Sequence, residues 1–288
     1  CIRDRSIAGG PEGLTPAEVG FLLDMSAGPR EVAATVVHLA QRGYLKIIRK
    51  PEEEELFFEL TEEGREALKT GVGLKDHERI VLEALYMAGS TKELRRTLIL
   101  ARFSQEVEEE LVSRGYFDLP PSRALSKYGI IGGTWFLLCL MLLLIPSVRR
   151  NFLGVVGGLA LGGFSIIFIG GLGMSKLSLK GAEVRARWRS FLDSVIEHLK
   201  RARDLLGERA VDFFEKFLPY LLLIMTPEGL EELVEAAGIS RISYWPSWYS
   251  YYGGPSGAPS QPYPLAADFS HFVSSISAVF GSLSSSVA

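Results

Sequence analysis

Hydrophobic positions are most concentrated between Lys127 and Lys176. The stretch 128–148 has no charged side chain, and after residues 149–151 the stretch 152–175 is uncharged as well. About 20 apolar residues in a helix cross a hydrocarbon core of about 30 Å. Helices are favoured in lipid because the backbone must satisfy its own hydrogen bonds there. The pattern therefore predicts two transmembrane helices, 128–148 and 152–175, joined by a turn at 149–151.

Shorter elements are predicted nearer the amino terminus, after a linker at 1–13. Thr15 and Pro16 begin a helix that runs to Asp24, and 29–41 repeats apolar residues at helical spacing. Two stretches of strand composition then flank a charged tip, and Thr61 begins a further helix. The order helix, helix, strand, strand, helix predicts a winged-helix-like domain over 14–73. The alternative is an irregular helical domain with one β-hairpin.

A second helical segment, 74–121, follows with helices predicted near 75–88, 91–100 and 104–113. It ends in Leu-Val-Ser-Arg-Gly-Tyr-Phe (111–117), which echoes Leu-Ala-Gln-Arg-Gly-Tyr-Leu (39–45). The segment is either a second winged-helix-like copy or an instance of a common glycine-terminated helix ending. The sequence favours neither.

Amphipathic helices are predicted over 176–237, at 180–206, 208–225 and 227–237. The residues beyond, 238–288, begin with an aromatic cluster and become a Gly/Pro/Ser-rich tail that we expect to be poorly ordered. The basic helix after the apolar stretches invites contact with anionic lipid headgroups. Its lipid-interface candidates are Lys176, Lys180, Arg185, Arg187, Trp188 and Arg189. Packing of the same face on the acidic amino-terminal domain is the alternative.

The distribution of charge predicts a topology. Residues 1–120 carry 16 Lys/Arg and 22 Asp/Glu (net −6), whereas 121–288 carry 15 and 12 (net +3). More basic residues flank the two apolar stretches than lie in the turn between them, which holds Arg149 and Arg150. The positive-inside tendency then predicts that 1–127 and 176–288 are cytoplasmic in a multi-pass protein of the cell membrane.

Small residues recur every four positions within the apolar stretches. Such rows let helix backbones approach closely, either within the helical hairpin or between copies of the chain in a homo-oligomer. The candidates for helix packing are Gly129, Gly133, Gly154, Gly158 and Gly162. Neither stretch contains Asp, Glu, Lys, Arg or His, which disfavours a pump or a channel.

Candidate chemistry is sparse, and we expect no cofactor, no metal site and no catalytic residues, hence no enzyme. The histidines His38, His77, His198 and His271 lack metal-ligand spacing, so solvated or capping roles are favoured. The two cysteines, Cys1 and Cys139, cannot form a disulfide framework or a four-cysteine metal site. A chain that starts at Cys1 without Met is expected to be a fragment of a longer protein.

The chain resembles a prokaryotic family of predicted membrane proteins, domain of unknown function 2207. The resemblance covers 14–252 and includes LTPAEVGFLLD (14–24), PREVAAT (29–35), LAQRGYL (39–45), WRSF (188–191), FEKFLPY (214–220) and PSWY (246–249). It implies a cytoplasmic winged-helix-like region and a membrane hairpin. It also implies an extracytoplasmic domain and an earlier membrane helix upstream, and it supplies no catalytic residues.

These observations predict a mainly α membrane protein with a winged-helix-like cytoplasmic domain, a two-helix transmembrane hairpin and a C-terminal helical region. We expect a membrane-anchored scaffold that contacts an unidentified protein and the lipid bilayer. The alternative is a membrane-tethered transcriptional regulator, with the helix 29–41 in the DNA major groove. The four consecutive glutamates at 52–55 would repel phosphate, so nucleic acid is disfavoured. A transport accessory subunit is a third, weaker option.

Overall fold

The computed structural model describes residues 10–49, 56–90, 99–165, 176–201, 209–239 and 247–251. The chain divides into two units. Unit 1 comprises 1–109 together with 184–288, and unit 2 comprises 110–183. The protein is mainly helical with small sheets.

Unit 1 begins with the element order that the sequence predicts: two helices, two strands and a helix. Further helices follow, and two of them, α5 and α8, cross the boundaries between the units. The elements of unit 1 are α1 (Pro16–Asp24), α2 (Pro29–Gln41), β1 (Leu45–Arg49), β2 (Leu56–Leu60), α3 (Glu62–Thr70), α4 (Asp76–Ala88), α5 (Leu100–Ser113), α8 (Leu179–Lys200), α9 (Arg209–Ile224), α10 (Pro227–Ala236) and β5 (Tyr249–Tyr251).

Local chemistry explains where the first helices begin. Thr15 is the N-cap of α1, and its backbone N–H donates to the Glu18 carboxylate at 2.6 Å, so the two form a capping box. Pro16 and Pro29 occupy the first turns of α1 and α2, where their missing N–H costs nothing.

The core of unit 1 surrounds α2. Val32, Val36 and Leu39 on this helix are fully buried, and helices α1, α4 and α9 pack against it. The sheet beside it has the order β2-β1-β5, in which β1 pairs antiparallel with β2 and parallel with β5. Strand β5 falls within the predicted aromatic cluster, and the Ser-rich end that the sequence predicts to be poorly ordered lies outside the described residues.

Unit 2 contains two long helices, α6 (Pro121–Leu143) and α7 (Pro146–Ser165), which pack against each other. At their base β3 (Phe117–Leu119) pairs antiparallel with β4 (Lys176–Leu177). In the described parts of the chain, no helix combines the length and the apolarity that crossing a membrane requires. The two transmembrane helices therefore stay a prediction.

The turn of the helical hairpin differs from the prediction. The predicted turn at 149–151 lies within α7, and the break between the helices falls at Leu144 and Ile145, immediately before Pro146. A proline inside a helix removes a backbone hydrogen bond and clashes with the preceding turn, so the chain ends α6 and starts α7 there.

Other boundaries shift by smaller amounts. Helix α5 begins at Leu100, earlier than predicted, and α8 ends at Lys200. The helix predicted at 91–100 falls mostly outside the described residues, as do 202–206 of the predicted helix 180–206 and the end of the predicted span 152–175. His271 and nearly all of the predicted tail also lie outside them.

Candidate functional site

The helical hairpin, α6 with α7, turns large apolar side chains outward. Leu137 is 62 % exposed and Met141 is 69 % exposed, whereas Cys139 and Val156 are buried between the helices. Nothing in the described part of unit 2 covers the outward positions. Other large apolar side chains exposed on the hairpin are Ile130, Ile131, Trp135, Phe136, Leu138, Leu140, Leu144, Ile145, Val155, Leu159 and Leu161.

The predicted glycine row borders open space. A Cβ added at any of these glycines would meet no heavy atom within 4 Å apart from its own helix and chain neighbours. Their role in helix packing stays a prediction. The glycines concerned are Gly129, Gly133, Gly154, Gly158 and Gly162.

The chain enters and leaves the hairpin at one place. The Ser178 N–H donates to the Tyr116 carbonyl oxygen at 2.9 Å, and the Ser178 hydroxyl donates to the Gly115 carbonyl oxygen at 2.7 Å. The Lys180 Nζ donates to the Arg114 carbonyl oxygen at 2.8 Å and lies 4.8 Å from the centre of the Tyr116 ring. Together with the β3–β4 pairing, these bonds fix both ends of the hairpin side by side.

The predicted lipid-interface residues divide between the units. In unit 2, Lys176 is exposed and Lys180 holds the base of the hairpin. In unit 1, the Arg185 guanidinium donates to the Leu23 carbonyl oxygen at 2.5 Å, and Arg187 forms an ion pair with Glu12 at 2.7 Å. Arg185 and Arg187 therefore contact the amino-terminal part of unit 1, as expected if this face packs on the amino-terminal domain instead of on lipid.

The burial of Trp188 contradicts its assignment to the lipid interface. Its side chain is 1 % exposed, stacks on Tyr220 with the ring centres 5.2 Å apart, and meets the edge of Phe191. The indole is a core residue of unit 1, because the apolar face of α8 packs inward. Arg189, the next residue along α8, is exposed.

A buried ion pair joins α1 to the start of α4. Glu18 is fully buried, and the Lys75 Nζ donates to both of its carboxylate oxygens at 2.7 and 2.6 Å. Burial raises the pKa of Glu18, but the hydrogen bonds from Lys75 and from the Thr15 N–H outweigh it and leave the pKa lowered. The Thr15 hydroxyl also lies 3.0 Å from the His77 Nε2.

A second buried carboxylate, Glu78, contacts two residues that line a pocket of unit 1, His38 and Arg42. The Arg42 Nη1 lies 3.1 Å from both carboxylate oxygens of Glu78, and the His38 Nε2 lies 3.6 Å from one of them. Burial lowers the pKa of His38, although the charge of Glu78 opposes this, so the imidazole tends to stay neutral. The pocket has a volume of about 490 Å³ and is lined by Gly10, His38, Gln41, Arg42, Asp212, Glu215, Lys216, Phe217 and Tyr220.

Polar groups around this pocket have partners inside the protein. The Gln41 amide donates to the Glu215 carbonyl oxygen, and the Glu215 carboxylate accepts the Trp248 indole N–H at 2.6 Å. The Tyr220 hydroxyl donates to the Leu14 carbonyl oxygen at 2.9 Å, and burial raises its pKa, so it stays protonated. These contacts connect α9 and the segment before β5 to the rest of unit 1.

The described histidines contact different groups, and sequence reasoning missed the buried carboxylates. His77 faces Thr15, and the His198 ring lies 2.8 Å from the Ser194 carbonyl oxygen one turn earlier on α8. No three His, Cys, Asp or Glu residues among those described could hold a metal ion together. The Thr15-x-x-Glu18 spacing was a visible capping-box signal, but nothing in the sequence linked Glu18 to Lys75.

Fold and surface together define a mainly helical protein that carries an apolar helical hairpin with its large side chains turned outward. The family model described as the C-terminal domain of predicted membrane protein DUF2207 matches residues 10–221, and the chain belongs to this family. The Pro-Ser-Trp-Tyr stretch at 246–249 lies beyond the matched residues. No curated protein and no solved structure matches the chain.

Proposed function

We propose that α6 and α7 anchor the protein in a prokaryotic cell membrane. The outward-facing apolar side chains of the hairpin carry this proposal, since lipid is the medium in which such a surface is stable. Leu137 and Met141 are more than half exposed, in contrast to the apolar side chains of α2. Membership in a family of predicted membrane proteins supports the same role.

The hairpin would enter and leave the membrane on one side. The bonds from Ser178 to Tyr116 and Gly115 support this topology, because they hold the residues before α6 next to those after α7. Exposed Arg123 and Lys176 lie close to that base along the chain, and the positive-inside tendency assigns such residues to the cytoplasm. Unit 1 would then be a cytoplasmic domain.

Unit 1 would serve as a winged-helix-like interaction module with a scaffold role and no catalysis. Val72, Tyr86 and Met87 offer exposed apolar contacts to a protein partner. On the hairpin, the outward-facing glycines leave room for the close approach of a second copy. Cysteine crosslinking from Gly158→Cys in membranes would test homo-oligomerisation, and no crosslinked dimer would remove that part of the proposal.

DNA binding is the weaker candidate. A groove-reading helix needs an exposed face, yet residues 31–37, 39 and 40 of α2 are buried, and these positions lie all around the helix. Of the basic residues near this helix, Arg42 is bonded to the buried Glu78. We expect no mobility shift of duplex DNA at low salt. A shift that weakens steeply as salt is added would instead support the membrane-tethered regulator.

The experiment that tests the membrane role is flotation of the protein with vesicles. We expect the full chain to float with vesicles through a sucrose gradient and to resist extraction at alkaline pH. Single cysteines at Val72 and Ser122 should react with a membrane-impermeant reagent from the same side. A chain that remains in the supernatant without detergent would overturn the proposal.

A further inference from the structure

Two helices of the chain, one in each unit, end in the same way. In unit 1 the N–H of Gly43 donates to the Ala40 carbonyl oxygen at 2.9 Å, and the N–H of Tyr44 donates to the Leu39 carbonyl oxygen at 3.1 Å. In unit 2 the corresponding bonds run from Gly115 to Val112 at 2.9 Å and from Tyr116 to Leu111 at 3.0 Å. Both glycines have positive φ, +80° and +74°. This hydrogen-bond pattern is common at helix ends, so it does not by itself indicate a repeat.

A further contact that the two units share is not part of a common helix ending. In unit 1 the Thr61 N–H donates to the Tyr44 carbonyl oxygen at 3.1 Å, and its hydroxyl donates to the Gly43 carbonyl oxygen at 2.6 Å. In unit 2 Ser178 makes the same two bonds, to Tyr116 at 2.9 Å and to Gly115 at 2.7 Å. Each hydroxyl residue is the one that precedes a helix, α3 or α8.

The residue three positions further on repeats as well. The Gly64 N–H donates to the Thr61 hydroxyl at 3.0 Å, and the Gly181 N–H donates to the Ser178 hydroxyl at 3.0 Å. A Cβ at Gly64 would overlap the Tyr44 carbonyl oxygen, and a Cβ at Gly181 would overlap the Tyr116 carbonyl oxygen. Only glycine lets the helix approach the strand so closely.

Between these matching ends the two units differ. Residues 50–55 connect the paired strands β1 and β2 in unit 1, at the position of the predicted wing tip. In unit 2 the connection from β3 to β4 is 120–175, which includes α6 and α7. We propose that unit 2 contains a second copy of this wing motif, in which the helical hairpin replaces the wing tip and inserts into the lipid bilayer.

This inference rests on the proposed membrane location. It adds that the hairpin originated as an insertion between β3 and β4. The hairpin is a long insertion between two strands whose ends are already held by Ser178 and Gly181. In this second copy, the position of the wing tip is occupied by the hairpin, which contacts lipid. The bonds at the base then form without help from the hairpin, since the matching bonds in unit 1 close around the short connection 50–55.

Exchange of the hairpin for a short wing tests the inference. In the full chain, residues 120–175 are replaced by the sequence of residues 50–55. We expect the variant to leave the vesicle fraction, to unfold cooperatively, and to protect the amides of Ser178 and Gly181 from hydrogen exchange as the parent protein does.

The outcomes separate the two proposals. A parent protein that does not float with vesicles overturns the membrane role. A second outcome is a parent protein that floats while the variant with the replaced hairpin loses the protection of its Ser178 and Gly181 amides. That result overturns the proposed insertion, and the membrane role stands. An exchange variant that still floats also overturns the inference, because another part of the chain would then be the anchor.

Reciprocal substitutions at Thr61 and Ser178 provide a second test if the variant with the replaced hairpin fails to fold. Thr61 and Ser178 occupy the same place, so Ser178→Thr and Thr61→Ser should leave amide protection at Gly181 and Gly64 unchanged. Ser178→Ala should raise the exchange rate of the Gly181 amide about fivefold, as expected for the loss of a capping hydroxyl. Equal loss of protection in Ser178→Thr and Ser178→Ala would show that the sites are not equivalent.

Discussion

Unit 1 buries most of its large apolar side chains, whereas the helical hairpin exposes them. In unit 1, α2 buries Val32, Val36 and Leu39 completely, and even the carboxylates of Glu18 and Glu78 lie inside. In the hairpin, Leu137 and Met141 point outward. One part of the chain therefore keeps its apolar side chains inside, and the other turns them outward. The proposed membrane location accounts for the difference, because burying apolar area is the main force that holds a fold together in water.

The largest effect is expected from charges on the outward face of the hairpin. Leu137→Arg together with Met141→Arg should abolish flotation with vesicles, because each arginine costs about 3 kcal/mol at the centre of a membrane helix. Val72→Arg is the matched control, since Val72 is just as exposed but lies in unit 1. Unchanged flotation of the double variant would mean that this face does not lie in lipid.

The buried pair in unit 1 should give the next largest effect. Lys75→Ala leaves Glu18 buried without its cation, and we expect a loss of about 3–5 kcal/mol in the free energy of unfolding. Arg79→Ala on the same helix is the control, because Arg79 has only an exposed contact with Asp76 at 3.9 Å. Thermal unfolding of both variants measures the difference, and equal stabilities would contradict the importance of the pair.

The same pair predicts a dependence on pH. The folded-state pKa of Glu18 is lowered, so its stabilising contribution is fully present above the unfolded pKa of about 4.3 and is lost as the pH falls through the folded pKa. The gap in stability between the parent and Lys75→Ala should therefore narrow below about pH 4. A gap that stays constant from neutral to acidic pH would exclude an ionised Glu18.

Disturbing the close approach of α3 to the residue before β1 should have a smaller effect on stability. The chain also offers a matched control. Gly64→Ala should cost about 1–3 kcal/mol, because its Cβ would overlap the backbone of Tyr44. Gly229 lies in the same position after a capping threonine, Thr226, but its Cβ would meet only side-chain atoms at 3.4 and 3.5 Å. Gly229→Ala should therefore stabilise the protein by up to about 1 kcal/mol. Destabilisation by both substitutions would remove the overlap as the cause.

The smallest effect concerns the segment before β5. Trp248→Phe removes the N–H that bonds to Glu215, at a cost of about 1 kcal/mol. We expect faster hydrogen exchange at Ile47, whose N–H donates to the Trp248 carbonyl oxygen at 2.8 Å. Trp135→Phe in the hairpin should leave Ile47 unchanged. No change at Ile47 in Trp248→Phe would show that the indole does not hold β5.

Local signals in the sequence were enough to predict the first half of unit 1. Thr15 with Pro16, and Pro29 after Gly28, mark helix starts, since capping and proline geometry act over only a few residues. The same reasoning could have found the turn before Pro146. There the uninterrupted apolar pattern favoured one longer helix, and the proline ended it.

Contacts between distant parts of the chain could not be read from the sequence. The pairing of β5 with β1 joins short segments far apart along the chain, and so does the bond between Glu18 and Lys75. Trp188 next to arginines suggested a lipid interface, but the direction of that helical face depends on α9, which supplies Tyr220. The likeness of 39–45 and 111–117 was visible, yet only the contacts of Thr61 and Ser178 distinguish it from a shared helix ending.

The central claim, that the hairpin lies in lipid, is tested most directly by the fluorescence of Trp135. Its ring lies on the hairpin and is 43 % exposed, whereas Trp188 is buried in unit 1. In vesicles with brominated acyl chains, we expect quenching that disappears in Trp135→Phe and weak quenching by aqueous iodide. Quenching by iodide but not by brominated lipid would contradict the claim.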